Sequence, residues 1–157
     1  VYWICYGSNG HVGDPGGLLL EDYPRHSEAG FGPNRHIKSI VRSGQPVRCT
    51  GSHLFATPHG TVDEQLRPLT APMLQDPALA PSYEHFRINH YVTQHHDYFR
   101  QVKQDIGAAD RTPHIVRPDH WFTGHDRNEC DDGVARRFLP ALERKETGLQ
   151  DVLKTGT

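Results

Sequence analysis

Tyr2-Trp3-Ile4-Cys5-Tyr6 carries large apolar or aromatic side chains at every position, not at alternate ones. A strand of that kind is stable only where both faces are covered, so the run reads as an interior strand of a layered sheet. The only methionine is Met73 and no signal-like lead precedes the run. An interior strand at the first residue predicts that the chain is the later part of a longer protein.

Gly7-Ser8-Asn9-Gly10-His11 follows at once, within a glycine-rich stretch that ends at Gly17. Glycine opens backbone conformations closed to other residues and lets a main chain approach a ligand. The stretch is neither a dinucleotide fingerprint, because no helix of the required pattern opens behind it, nor a P-loop, because Gly-Lys-Ser/Thr is absent. A ligand cradle and an ordinary surface loop both fit. Beyond it lie a short apolar piece, Leu18 to Tyr23 with Glu21 and Asp22, and a polar segment, Pro24 to Asn34, broken by Gly and Pro.

Strand patterns return at Ile37 to Val41, Val47 to Cys49 and His53 to Phe55, separated by turns at Ser43-Gly44 and Thr50-Gly51. Thr57 to Ser82 holds five prolines and no sustained period. A stretch of that length is either functional, such as a substrate-side flap, or disordered. Phe86 to Val92 forms the last strand expected. Alternation puts Arg87, Asn89 and Tyr91 on one face and Ile88, His90 and Val92 on the other, with His90 near the carboxyl end, where open α/β sheets place their ligands. A lone histidine on a strand is more often a hydrogen-bonded core residue than a metal ligand. Phe99, Val102 and Ile106 predict a helix from about His95 to Asp105, capped by Thr93 and stopped at Gly107. Val134, Phe138 and Leu142 predict a second helix from about Asp131, bent at Pro140. Residues from Thr147 onward read as a frayed tail, which leaves 1–146 as one domain and 147–157 outside it.

Composition narrows the function classes. The 17 basic and 19 acidic groups nearly cancel, which argues against a nucleic-acid surface, and no apolar run approaches the length of a membrane span. Cys5, Cys49 and Cys130 form neither an even set nor a Cys-x-x-Cys pair, as expected of inert thiols in the reducing cytoplasm.

Five segments, in order, resemble a bacterial group of family 2-like glycosyltransferases related to glycosyltransferase family 92. They are Trp3 with Tyr6-Gly7-Ser8-Asn9-Gly10-His11; His36 to Arg42; His53-Leu54-Phe55; Ile88-Asn89-His90-Tyr91 followed by Tyr98-Phe99-Arg100; and His125 to Asp132. The resemblance covers most of residues 1–145. It implies an α/β fold, a partial GT-A (Rossmann-like) mixed sheet with flanking helices that lacks its N-terminal nucleotide-binding half. The implied activity is transfer of a sugar from a nucleotide-sugar donor to a glycan or other hydroxyl acceptor, assisted by Mn²⁺ or Mg²⁺. The family's Asp-x-Asp metal motif belongs upstream of Val1, and this chain contains no Asp-x-Asp. The chain alone is therefore expected to be inactive, and membrane association would come only through the missing part. Where relatives carry Lys-Ser after the Asn-His-Tyr strand, this chain has Gln94-His95.

The resemblance makes His90 the candidate metal ligand, Glu21 the favoured catalytic base with Asp14 and Asp22 competing, and Gly7, Ser8, Asn9, Gly10, His11, Asn89 and Tyr91 candidate substrate contacts. Solvation at the surface is the commoner fate of the three carboxylates. Asp126 and Asn128 read as organisers of the turn before the last helix. Two other classes are a histidine-rich metal module built on His85, His90, His95 and His96, and a carbohydrate-binding domain with Trp121-Phe122 as its aromatic platform.

Overall fold

A computed structural model describes residues 1–44, 47–106 and 116–145. The fold is mixed α/β. In chain order its elements are β1 (Trp3–Tyr6), α1 (Leu19–Asp22), β2 (Arg25–His26), a 3₁₀ turn (Gly32–Arg35), β3 (Arg48–Cys49), β4 (Phe55–Ala56), β5 (Ile88–Tyr91), α2 (His96–Tyr98) running into a π-helical turn (Phe99–Lys103), α3 (Asp119–His125), β6 (Cys130–Asp131) and α4 (Gly133–Arg136).

Four strands form a mixed sheet in the order β5-β1-β2-β6, and β3-β4 form a separate antiparallel ribbon. The apolar first strand is interior, as its composition requires. On one side it pairs in parallel with β5, Trp3 opposite Ile88 and Tyr6 opposite Tyr91; on the other it meets β2 antiparallel at His26. Ile4, Cys5 and Tyr6 are buried.

Several expectations need correction. Only His36 and Ile37 of the 36–42 segment make strand bridges, to Met73 and Tyr2. The long proline-rich stretch is ordered and contributes to the core. Leu69 and Leu74 pack with Tyr2 and Ile37 in a core cluster, with Leu54, Leu79 and Tyr83 against it. Two carboxylates supplement the isolated backbone hydrogen bonds there, among them Leu69 N–H to the Thr61 carbonyl and Leu74 N–H to that of Arg35. Asp63 accepts the N–H groups of Gln65 and Arg67, and Glu64 those of Glu84, His85 and Phe86. Side chains thus satisfy backbone donors that have no strand partner, and this pattern leaves no periodicity in the sequence.

The helix after β5 is capped by the His95 ring, which accepts the Tyr98 N–H at 3.1 Å, not by Thr93. Thr93 is fully buried and donates to the Tyr6 carbonyl. The predicted stop at Gly107 and the tail from Thr147 lie outside the described residues. Near the end, α4 is capped by Asp132, and a second helical stretch spans 139–145 with Pro140 in its first turn, where proline is tolerated. Of the expected apolar stripe, Val134 and Phe138 are exposed and Leu142 is half-buried. Among the described residues no helix is long and apolar enough to cross a membrane.

Candidate functional site

Because β1 and β5 run in parallel, the chain segments that leave them, Gly7–His11 and Val92–His95, emerge at the same end of the sheet. They are tied together: His96 N–H donates to the His11 carbonyl at 3.2 Å and Asp97 N–H to that of Val12 at 2.9 Å. The loop turns through Asn9 and Gly10, both at positive φ, a conformation open to Gly and tolerated by Asn.

Every backbone N–H from Ser8 to His11 has a protein acceptor. Ser8 donates to Asp126 Oδ1 (2.5 Å), Asn9 to Asn128 Oδ1 (2.9 Å), Gly10 to Ser8 Oγ (3.2 Å) and His11 to the Ser8 carbonyl (3.1 Å). A ligand at this loop would therefore meet side chains and carbonyls, not a nest of free amides. Asp126 and Asn128 thus hold the glycine-rich loop, a role the sequence reading did not give them. The approach is close: a Cβ at Gly7 would lie 2.6 Å from the Arg127 carbonyl oxygen and nearer still to Asn128 Oδ1. His11 Nε2 bonds the Asp22 carbonyl at 2.9 Å and so docks α1, on which Glu21 stands exposed.

The two faces of the β1–β5 pair carry different chemistry. On one, Tyr6, Arg87, Asn89 and Tyr91 surround Asp132, as alternation predicted for the β5 residues. The Asp132 carboxylate accepts from Tyr6 Oη and the Arg87 guanidinium, and caps α4 through the N–H groups of Val134 and Ala135, both at 3.0 Å. Arg87 also donates to Asn89 Oδ1 at 3.0 Å. Burial pushes the Asp132 pKa up, but the hydrogen bonds from Tyr6 and Ala135 and the Arg87 charge outweigh it and hold the carboxyl below its ordinary range. The Tyr91 hydroxyl is sealed from solvent beside Asn89, with no hydrogen bond of good geometry among the described residues, and its ring lies 4.7 Å from that of Tyr6.

On the other face the Trp3 indole is surrounded by imidazoles. His90 stacks on it at 4.1 Å between centroids, His36 at 5.2 Å, and His53 meets its edge at 5.4 Å. His36 and His53 bond through Nδ1 to the carbonyls of Pro33 (3.0 Å) and Ile37 (2.7 Å). Desolvation, reinforced by the Lys103, Lys38, His36 and His125 charges, pushes His90 down to about 4, so its imidazole is neutral at physiological pH. His90 Nδ1 stands 4.0 Å from Cys5 Sγ.

The predicted site residues are therefore divided. Gly7 to His11 lie at the carboxyl end, with Glu21 on the helix that loop docks; Asn89 and Tyr91 face Asp132; His90 faces Trp3. Among the described residues no three His, Cys, Asp or Glu side chains converge to hold a metal ion. The His95 ring is used as a helix cap, and His96 packs against Phe122. Trp121, read as an open platform, is covered by His125 at 3.9 Å and Phe99 at 5.8 Å. Asp132, Trp3, His36 and His53 are the residues that reasoning from spacing left without a role. Their signal was their presence in the resembling segments, not any local pattern. No family model matches the chain, and no curated protein or solved structure matches it either.

Proposed function

We propose that the chain is the acceptor-side part of a GT-A-type glycosyltransferase that moves a sugar from a nucleotide-sugar to a hydroxyl acceptor. One observation supports this reading above the rest. The other four segments that resemble the family all touch the first, β1 and the loop behind it. His36 and His53 lie on Trp3, β5 pairs with β1, His96 holds His11, and Asp126, Asn128 and Asp132 bind Ser8, Asn9 and Tyr6. Segments separated by more than a hundred residues meet on one four-residue strand and its turn.

In such a transfer the acceptor oxygen replaces a phosphate oxygen at the glycosyl carbon, and its proton passes to a carboxylate. Asp132 is ill suited to that task, because its low pKa and four hydrogen bonds leave it little affinity for a proton. Glu21, exposed on α1 beside the loop, remains the proposed base. Among the described residues no three His, Cys, Asp or Glu side chains converge, so a cation in this reading would be held by the upstream half.

The coding sequence upstream of Val1 tests the reading. An α/β half carrying Asp-x-Asp is expected, and the protein made with it should transfer labelled sugar from a nucleotide-sugar in a Mn²⁺-dependent manner. An unrelated upstream sequence, or an intact protein that turns over no nucleotide-sugar, refutes it.

A further inference from the structure

A cavity of about 600 Å³ opens at the amino-terminal end of β1, the opposite end from the Gly7–His11 loop. Residues 37–42 form one wall and 57–64 the other, with Tyr2 and Phe55 between them. Its volume lies in the range of small-molecule sites, about 300–1,000 Å³. Its apolar lining is open to solvent: Ile40 is 79% exposed, Phe86 58% and Val62 49%.

The charged side chains of this cavity have one sign of unmet demand. Its two carboxylates are saturated. Asp63 accepts from Tyr2 Oη, Arg67 Nε and two backbone N–H groups, and Glu64 from Ser82 Oγ and three. Each already takes the four hydrogen bonds that a carboxylate accommodates. What remains is the basic side chains. Arg42 and His59 make no hydrogen bond or ion pair among the described residues, and Lys38 makes one hydrogen bond, to the Ser52 carbonyl, beside its place over the Trp3 ring.

We propose that this cavity binds a small amphiphile with a medium-length hydrocarbon body and a carboxylate head, the body lying on Ile40, Val62 and Phe86 and the head on Arg42. The assignment is independent of the transferase reading, since it uses none of the residues at the carboxyl end of β1.

Calorimetric titration of the 157-residue chain with octanoate, decanoate, decanol and decyltrimethylammonium tests it, with amide NMR shifts locating the site. Decanoate is expected to bind at one site per chain, about fifteenfold tighter than octanoate for two added methylenes. The shifts should fall in 37–42 and 57–64. Arg42→Met should weaken decanoate by about tenfold or more and leave decanol unchanged, as loss of a charged hydrogen bond requires. Ile40→Asp should weaken both, and because Ile40 is exposed its circular dichroism should match the wild type. Decyltrimethylammonium binding as tightly as decanoate, shifts confined to other segments, or no saturable decanoate binding below its micelle concentration each overturns the proposal.

Discussion

Replacing Asp132 by Asn should cost about 2–3 kcal/mol of folding stability. The side chain is 2% exposed and its partner Arg87 is 20% exposed. Removing one partner of a fully buried ion pair typically costs about 3–5 kcal/mol, because the other charge is left uncompensated. Water reaches part of the Arg87 guanidinium, which lowers the figure. Asn is as good a helix cap as Asp, so the α4 cap survives and the loss reports the charge. Asp132→Ala removes the cap too and should cost about 1 kcal/mol more. Urea denaturation followed by circular dichroism measures both differences, with unchanged m values showing that only stability has moved. The pH dependence gives a second check. A carboxyl held below its ordinary value stabilises the fold above its unfolded pKa of about 3.9 and loses that contribution as pH falls through the folded value. The gap between wild type and Asp132→Asn should therefore close in acid. A neutral-pH difference under about 0.5 kcal/mol, the usual range of surface changes, refutes the argument, as does a gap that persists in acid.

Two other substitutions probe the rest of the site. Gly7→Ala places a Cβ against the Arg127 carbonyl, which is backbone and cannot swing aside. It should cost at least about 2 kcal/mol and speed amide exchange at Ser8 and Asn9, read by hydrogen-exchange NMR. His90 should titrate near 4 by NMR; because the unfolded chain binds the proton more readily, stability should fall as pH drops from about 6.5 towards 4, and His90→Phe, which keeps a ring on Trp3, should lack that slope.

The features legible in the sequence were those fixed by strand geometry alone. Tyr2 to Tyr6 could be placed inside a sheet because no other position covers both its faces, and the alternation through Arg87 to Val92 separated Asn89 and Tyr91 from His90 correctly. What was not legible depends on side chains acting across long separations. β2 and β6 are two residues each, too short to leave a period. Leu69 and Leu74 are tied by their own N–H groups to the carbonyls of Thr61 and Arg35, and Asp63 and Glu64 hold the backbone around them, contacts that no local period announces. Thr93 was a plausible cap by type, yet burial against Tyr6 gave its hydroxyl another acceptor and left the cap to His95. The roles of Asp126 and Asn128 require a partner more than a hundred residues away, which spacing cannot supply.

The two faces of the β1–β5 pair are unequal in what they leave free. The Asp132 carboxylate has both oxygens doubly hydrogen-bonded and is ionised, so it contributes order but little reactivity. On the Trp3 face, the cost of desolvating His90, reinforced by the cations around it, keeps the imidazole neutral, the form in which a histidine can bind a metal. Its Nδ1 has only the distant Cys5 thiol, and its Nε2 has no partner among the described residues. Lys103 and Lys38 are among the charges that lower the His90 pKa, so an anion held beside them would offset their effect and raise it. An upward shift of the His90 titration on adding pyrophosphate is the expected outcome, and an unmoved titration would show that no such anion is held there.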